Sequence, residues 1–359
     1  MTRVVLVTPA FSGHDGLSCL SRQLHQALTA LGAAVEVISL GDSPHVADAV
    51  ATAGGDRLRY GLAVLHAAAS NPSPALTVVA HLHLLPTVWP LIARGTTVVP
   101  VLVGIESWRP LTATRTRVMR RVPRAIAISH HTAREFRRAN PNFADLPVDV
   151  CWPATPSIAA DCDTAQRAGD PFALIVGRLA AEERYKGHDL LIDVWPQLQA
   201  AVPRARLVVA GTGDDLPRLR ARVDAAGVHD AIIFEGQVTT ERLSQLYRQA
   251  AFLVLPSRHE GFGYVLLEAM SAGRACIAAL GAAEEIIEPN LTGLIVDPAH
   301  AHTLLEAMTT LFQDEALRQR LGAAGQERAA RVFSMRRFTA DLAQSLAPWL
   351  PSRAVAVEC

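Results

Sequence analysis

Glu260 and Glu268 stand with seven residues between them in Pro256-Ser-Arg-His-Glu260-Gly-Phe-Gly-Tyr-Val-Leu-Leu-Glu268. Upstream, Ala251 to Leu255 is a short bounded apolar run, the pattern of a buried strand. Downstream, Tyr264–Ala272 reads as a helix, and Gly261 and Gly263 fill the loop between. Strand, glycine loop and helix together turn backbone N–H groups and a positive helix end towards an anion. A carboxylate beside an anion site is odd unless it binds hydroxyls. A ligand carrying both a phosphate and a sugar polyol would use both halves. The plain alternative is one glutamate on a surface loop and one on a solvated helix face.

Lys186 is the only lysine among 34 residues counted as Lys and Arg. In a chain that otherwise uses arginine, a compact ammonium marks a position that a planar guanidinium does not suit. The net charge is zero, which argues against a nucleic-acid binder working through a global basic field. The cysteines, Cys19, Cys151, Cys162, Cys276 and Cys359, are odd in number and lack metal-ligand spacing, as expected in a reducing cytoplasm. The apolar run at the N-terminus is too short for a secretion signal, and no run approaches a membrane span. Arg109–Arg138 is a basic island: Arg109, Arg115, Arg117, Arg120, Arg121, Arg124, Arg134, Arg137 and Arg138 face one acid, Glu135. It reads either as a surface drawn to an anionic membrane or a lipid-diphosphate acceptor, or as a solvated helix face.

At 359 residues the chain has room for two ordinary domains. Strands are expected at 3–8, 35–40, 76–80, 98–103, 125–129 and 148–152. They alternate with helices at 17–31, at 46–69 interrupted by Gly54-Gly55, at 112–121 and at 130–139. Gly13 and Gly16 lie in the first loop, which lacks Gly-x-Gly-x-x-Gly, so bound NAD is not expected. The polar, unpatterned segment 161–170 is placed as the linker. Alternation restarts at 172–176, with strand-end turns at Gly211 and at Gly236–Val238 that should line a nucleotide pocket. Residues 300–350 read as helical throughout, and 351–359 as a disordered tail.

The stretch from Glu260 resembles the signature of the retaining nucleotide-sugar glycosyltransferases of family 4, the bacterial group 1 enzymes of GT-B fold. The Gly177-Arg178-Leu179 and Lys186-Gly187 elements resemble that family's second signature. The resemblance implies an α/β architecture of two doubly wound Rossmann-like domains facing a cleft, with a C-terminal helix crossing back to the first domain. The expected divisions are 1–160 on the acceptor side, 161–170 as linker, 171–333 for the nucleotide sugar, 334–350 for the returning helix, and the tail. Its Glu pair implies that Glu260 contacts the donor sugar and Glu268 the ribose hydroxyls. Phe262, Gly263, Tyr264 and Val265 would present their backbone to sugar and diphosphate. Arg178 and Lys186 would then meet the diphosphate, where two cations stabilise a leaving nucleoside diphosphate. Gly13, Gly16, Gly177, Gly211, Gly236 and Val238 complete the implied donor site.

At one point the chain departs from the pattern. Where relatives place a histidine before Gly104, this sequence has Val103. His81 or His83, at the neighbouring strand end, could occupy similar space; either is equally readable as a hydrogen-bonded rim residue. They stand with Glu106 as acceptor-side candidates. The reaction implied is sugar transfer from a UDP- or GDP-sugar to an acceptor hydroxyl, with retention, no cofactor and no metal. The acceptor would be a saccharide or lipid-linked saccharide in polysaccharide or glycolipid assembly, at the inner face of the cytoplasmic membrane. A GT-B nucleotide-sugar 2-epimerase and a binding-only relative are the alternatives.

Overall fold

The computed structural model describes residues 1–42, 50–156 and 170–350. Apart from Asp170, the expected linker at 161–170 lies outside them, as does the tail at 351–359. The chain divides into two compact units, one of Met1–Ala154 and the segment from Phe333 on, the other of Thr155–Val332.

The first unit is built on a seven-stranded parallel sheet. Its strands are β1 (Thr2–Thr8), β2 (Ala33–Ser39), β3 (Val50–Thr52), β4 (Leu76–Val79), β5 (Thr97–Leu102), β6 (Ala125–Ala127) and β7 (Val148–Val150), in the order β3-β2-β1-β4-β5-β6-β7. Val4, Val5, Leu6 and Val7 of β1 are fully buried. Helices cover a central parallel strand on both faces, so β1 reads as an unbroken apolar run. The second unit holds β8 (Phe172–Val176), β9 (Arg206–Ala210), β10 (Ile232–Gly236), β11 (Phe252–Leu255), β12 (Ala275–Ala279) and β13 (Leu294–Val296), in the order β10-β9-β8-β11-β12-β13. Every pairing in both sheets is parallel. Carboxyl ends therefore gather on one edge of each sheet. Strand order reverses between β1 and β4 in the first unit and between β8 and β11 in the second, which opens a crevice at each carboxyl edge.

Two expected helices are divided. Of the expected helix at 46–69, residues 46–49 lie outside the described ones, Val50–Thr52 pairs with β2 as an edge strand, and Arg57–Ala69 is helical. Gly54 and Gly55, at φ 60° and 84°, turn the chain between them, and Asp56 caps the helix through Leu58 N at 2.8 Å. Residues 300–350 form three helices, Ala301–Gln313, Glu315–Val332 and Met335–Leu346. The breaks fall at Asp314, whose carboxylate accepts Leu317 N at 2.8 Å, and at Ser334, whose hydroxyl accepts Arg337 N at 3.3 Å. Short polar side chains that cap the next helix compete with continuation of the last. Helix Met335–Leu346 packs on helix Gly16–Ala30 in the first unit, burying Phe338, Leu342 and Leu346.

Candidate functional site

Glycines strip side chains from the carboxyl edge of the second sheet. Gly177 N donates to Ala210 O at 3.0 Å and Gly211 N to Gly236 O at 2.8 Å, so the ends of β8, β9 and β10 are laced together. Gly211 has φ 142°, and a Cβ there would lie 1.9 Å from Gly177 O. Only glycine permits that approach. Val238, half-buried, follows Gly236 beyond the end of β10.

A 3-10 turn, Ala181–Lys186, follows β8 and carries the cations. Glu183 is buried and pairs with both: Lys186 Nζ lies 2.8 Å from one carboxylate oxygen, and Arg178 meets the other. The two cations differ in setting. Lys186 is 18% exposed and Arg178 70%, so the lysine is held while the arginine is a surface arm. Lys186 also packs on Gly177, where a Cβ would touch Nζ at 3.4 Å. Gly187, at φ 88°, abuts Pro256 of the Glu260 loop, and Arg258 N donates to Tyr185 O at 2.9 Å. Both loops thus meet across the crevice between β8 and β11.

An ion-pair ladder braces the turn from behind. Asp215 accepts from Arg184 at 2.9 Å and from Arg218 at 2.5 Å, and Arg218 reaches Asp189 at 2.7 Å. Arg218 first, then Arg184, holds the Asp215 carboxyl down at about 2. A carboxyl depressed on folding stabilises the fold above its ordinary pKa of 3.8 and loses that contribution as pH falls towards 2. Asp215→Asn is expected to flatten the dependence of the unfolding midpoint on pH between about 5 and 2, measured by thermal unfolding. An unchanged slope would count against the ladder as an acid-sensitive brace.

Glu260 and Glu268 are both partly buried at the same edge. Burial raises the Glu260 carboxyl above the ordinary range; Lys186 opposes the rise and the Glu183 carboxylate adds to it. Glu268, on helix Tyr264–Ser271, is likewise raised by burial and accepts Tyr247 Oη–H at 2.5 Å. That helix begins after Gly263, at φ 110°, a residue with no side chain to cap it, so its positive end faces the loop that carries Glu260. Phe262 is buried, with its ring 5.9 Å from that of Tyr264. Cations, carboxylates and the start of that helix are together in one unit. They can neutralise a diphosphate and accept hydroxyl protons side by side.

Tyr247 lies in helix Thr240–Gln249 and escaped the sequence reading, because nothing in its local pattern points to Glu268. Tyr247→Phe leaves a mostly buried carboxylate without its donor, which costs about 2 kcal/mol. The hydrogen bond lowers the Glu268 pKa, so its loss should raise that pKa and weaken the carboxylate's hold on a ligand hydroxyl near neutral pH. Nucleotide titrations of wild type and Tyr247→Phe at pH 6 and 8 check this; equal affinities at both pH values would overturn it.

In the first unit the carboxyl edge carries Gly13, Gly16, His81, His83 and Glu106. Asp15 caps helix Gly16–Ala30 through Leu17 N at 2.9 Å and Ser18 N at 3.1 Å, so those two amides already hold a carboxylate. Asp42, unmarked by any motif, fixes the same loop by accepting from Phe11 N at 2.6 Å and Ser12 N at 3.0 Å, and from the Ser12 and Ser39 hydroxyls. Glu106 closes the end of β5, accepting from Val103 N at 2.9 Å and Gly104 N at 3.2 Å. Its other oxygen lies 3.9 Å from His81 Nε2. His81 Nδ1 accepts from His83 N at 3.2 Å, which leaves the proton on Nε2, facing Glu106. Burial, with Arg115 assisting, lowers His81 to about 4, so the imidazole is neutral at pH 7. A buried neutral imidazole and a carboxylate therefore stand beside Val103, where the resemblance led one to expect a histidine.

A family model, "Glycosyl transferases group 1", matches residues 162–328, which include every second-unit residue just described. Mannosylfructose-phosphate synthase of Agrobacterium fabrum is 35% identical over 170 residues, 45% of this chain and 37% of that protein. The GDP-mannose-dependent alpha-(1-6)-phosphatidylinositol monomannoside mannosyltransferase of Mycobacterium tuberculosis is 33% identical over 181 residues, 48% and 46% of the two chains. The matched stretch thus spans less than half the length of these two relatives. A longer match, 28% identical over 66% of this chain and 67% of the other, is to the alpha-D-kanosaminyltransferase of Streptomyces kanamyceticus. Among solved structures, sucrose-phosphate synthase from Thermosynechococcus elongatus superposes with TM-score 0.78 at 21% identity, covering 97% of this chain and 99% of that one. Anabaena HepE, in complex with UDP and glucose, gives 0.78 at 18% identity over 97% and 100%. The fold of the two Rossmann-like units is GT-B.

Proposed function

We propose that the protein is a glycosyltransferase that moves a sugar from a nucleoside-diphosphate sugar to an acceptor hydroxyl, with retention and without a metal. One observation carries the reading: Arg178, Lys186, Glu260, Glu268 and the helix that starts after Gly263 meet at the strand-order reversal of the second unit. Lys186 and Arg178 neutralise the departing diphosphate. Glu268 holds the ribose hydroxyls and Glu260 the donor sugar. The glycines at 177, 211, 236 and 263 let backbone approach the ligand. His81, His83 and Glu106 serve the acceptor hydroxyl. No carboxylate is assigned as a covalent nucleophile; the leaving phosphate takes the acceptor proton on the front face of the sugar.

The donor is a UDP- or GDP-sugar. Support comes from a relative named for GDP-mannose dependence and from a fold neighbour solved with UDP and glucose. The setting proposed is bacterial polysaccharide or glycolipid assembly in the cytoplasm, at the membrane's inner face through Arg109–Arg138. No described helix is long and apolar enough to cross a membrane.

Calorimetric titration with UDP and GDP, alongside turnover of UDP- and GDP-sugars, tests the assignment. Glu268→Ala is expected to weaken nucleotide binding by tenfold or more. Glu260→Ala should mainly lower the rate. Equal effects of both on nucleoside diphosphate affinity would count against these roles. Isomerised donor without acceptor would show an epimerase instead.

A further inference from the structure

The structure separates the arginines of the basic island. Arg117 and Arg121 lie over the Trp89 ring, at 5.4 and 5.8 Å. Arg138 pairs with Glu135 at 3.9 Å. Arg124, Arg134 and Arg137 instead line a cavity of about 670 Å³ within the first unit. Its opposite wall comes from far along the chain, where helix Met335–Leu346 contributes Arg337 and Ser345. Edge strand β7 forms the floor, and the Trp152 indole, with His130 edge-on at 5.8 Å, forms one end.

Charge in this cavity is unbalanced. Four guanidiniums face two carboxylates, and both carboxylates are engaged: Asp149 by Arg124, and Asp341 by Arg337 at 2.7 Å. Arg134 and Arg137, one turn apart on helix His130–Ala139, have neither an ion pair nor a hydrogen bond among the described residues. Arg137 is nonetheless half-buried. Two adjacent cations without a counter-charge, in a concavity that already holds two more, raise the local potential and favour an anion. A guanidinium fork fits phosphate oxygens two at a time. An aromatic wall beside such a fork suits the apolar face of a sugar ring, and the volume is that of a small-ligand site.

We infer that this cavity is a second anion site, one that holds a phosphate ester of a sugar or a lipid headgroup through Arg134 and Arg137. It is formed by first-unit residues alone and does not depend on the donor reading. Helix Met335–Leu346 completes it, anchored by Cys151 Sγ and Ser345 Oγ at 3.5 Å. An arginine pattern read from residues 109–138 could not include Arg337.

The test uses the full chain carrying Lys186→Ala, which disables the proposed donor site. Glucose 6-phosphate is titrated by calorimetry, and phosphatidylcholine vesicles with and without phosphatidylglycerol are sedimented with the protein. Saturable binding of glucose 6-phosphate, weakened at least tenfold by Arg134→Ala with Arg137→Ala, supports the site with a soluble phosphate. Sedimentation only with phosphatidylglycerol vesicles, lost in the same double variant but kept in Arg120→Ala with Arg138→Ala, supports it with a lipid phosphate. Unchanged melting temperatures exclude misfolding; should the double variant melt low, Arg134→Gln with Arg137→Gln replaces it. Binding of neither probe, binding indifferent to Arg134 and Arg137, or equal losses in both double variants overturns the inference.

Discussion

Lys186→Ala is expected to lower affinity for UDP or GDP by tenfold or more and to destabilise the ligand-free protein. Lys186 is mostly buried and lies 2.8 Å from the buried Glu183 carboxylate; its charge also lowers the pKa of Glu260. Removing the ammonium takes the charge that opposes the rise of the Glu260 pKa and leaves the buried Glu183 paired with Arg178 alone, at a cost on the order of 3 kcal/mol. Glu183→Gln should act in the opposite sense on binding. In the ligand-free protein Glu183 stands where an anion neutralises Lys186 and Arg178. Without its charge the cations await the diphosphate unpaired. Ligand-free stability should fall, and nucleoside diphosphate affinity should rise several-fold. Thermal unfolding across a nucleotide titration separates the two variants. A Glu183→Gln protein that binds UDP and GDP more weakly than wild type would show that Glu183 positions the cations and does not compete for them.

Gly211→Ala is the second large effect. The new methyl would lie 1.9 Å from Gly177 O and 2.9 Å from its carbonyl carbon, at a φ of 142° that disfavours any Cβ. Backbone cannot yield as a flexible side chain does, so the ends of β8 and β9 must separate. A destabilisation on the order of 3 kcal/mol is expected. Nucleotide binding should be lost with it, because Gly177 and Arg178 begin where β8 ends. Gly227→Ala is the control. Gly227 has φ 68° but nothing within 4 Å of a Cβ, so it should show the conformational cost alone and keep nucleotide affinity. Comparable melting temperatures and affinities for the two variants would mean that the close approach is not what glycine supplies at 211.

The order of elements was legible in the residues because it depends on local patterning. Val4–Val7 and Leu253–Leu255 are apolar runs of a length that only a covered strand needs. The Glu260–Glu268 spacing, Arg178 and Lys186 were legible too, because loop and helix present them within a few residues of a strand end. The returning helix after Ser334 was expected, but the break at Asp314 within 300–333 was not read from sequence. At Asp314 a cap and a continuing helix look alike until the chain direction is known.

By itself the sequence determined which residues could hold a phosphate and a polyol, and that two parallel sheets would present them. The tertiary structure alone decided what each of them faces. Glu183, between the two signature elements and marked by no motif, became the shared partner of both cations because a single 3-10 turn folds it back beneath them. Tyr247 came to support Glu268 from a different helix, and Glu106 closed the amides beside Val103. Arg337 joined the island after nearly two hundred intervening residues, as roughly the separation of Cys151 from Ser345 measures (|i−j| = 194). Sequence patterning records periodicity over one turn or one pleat, about 3.6 or 2 residues. Burial, hydrogen-bond partners and the pKa shifts they cause depend on packing between elements, which no local period encodes.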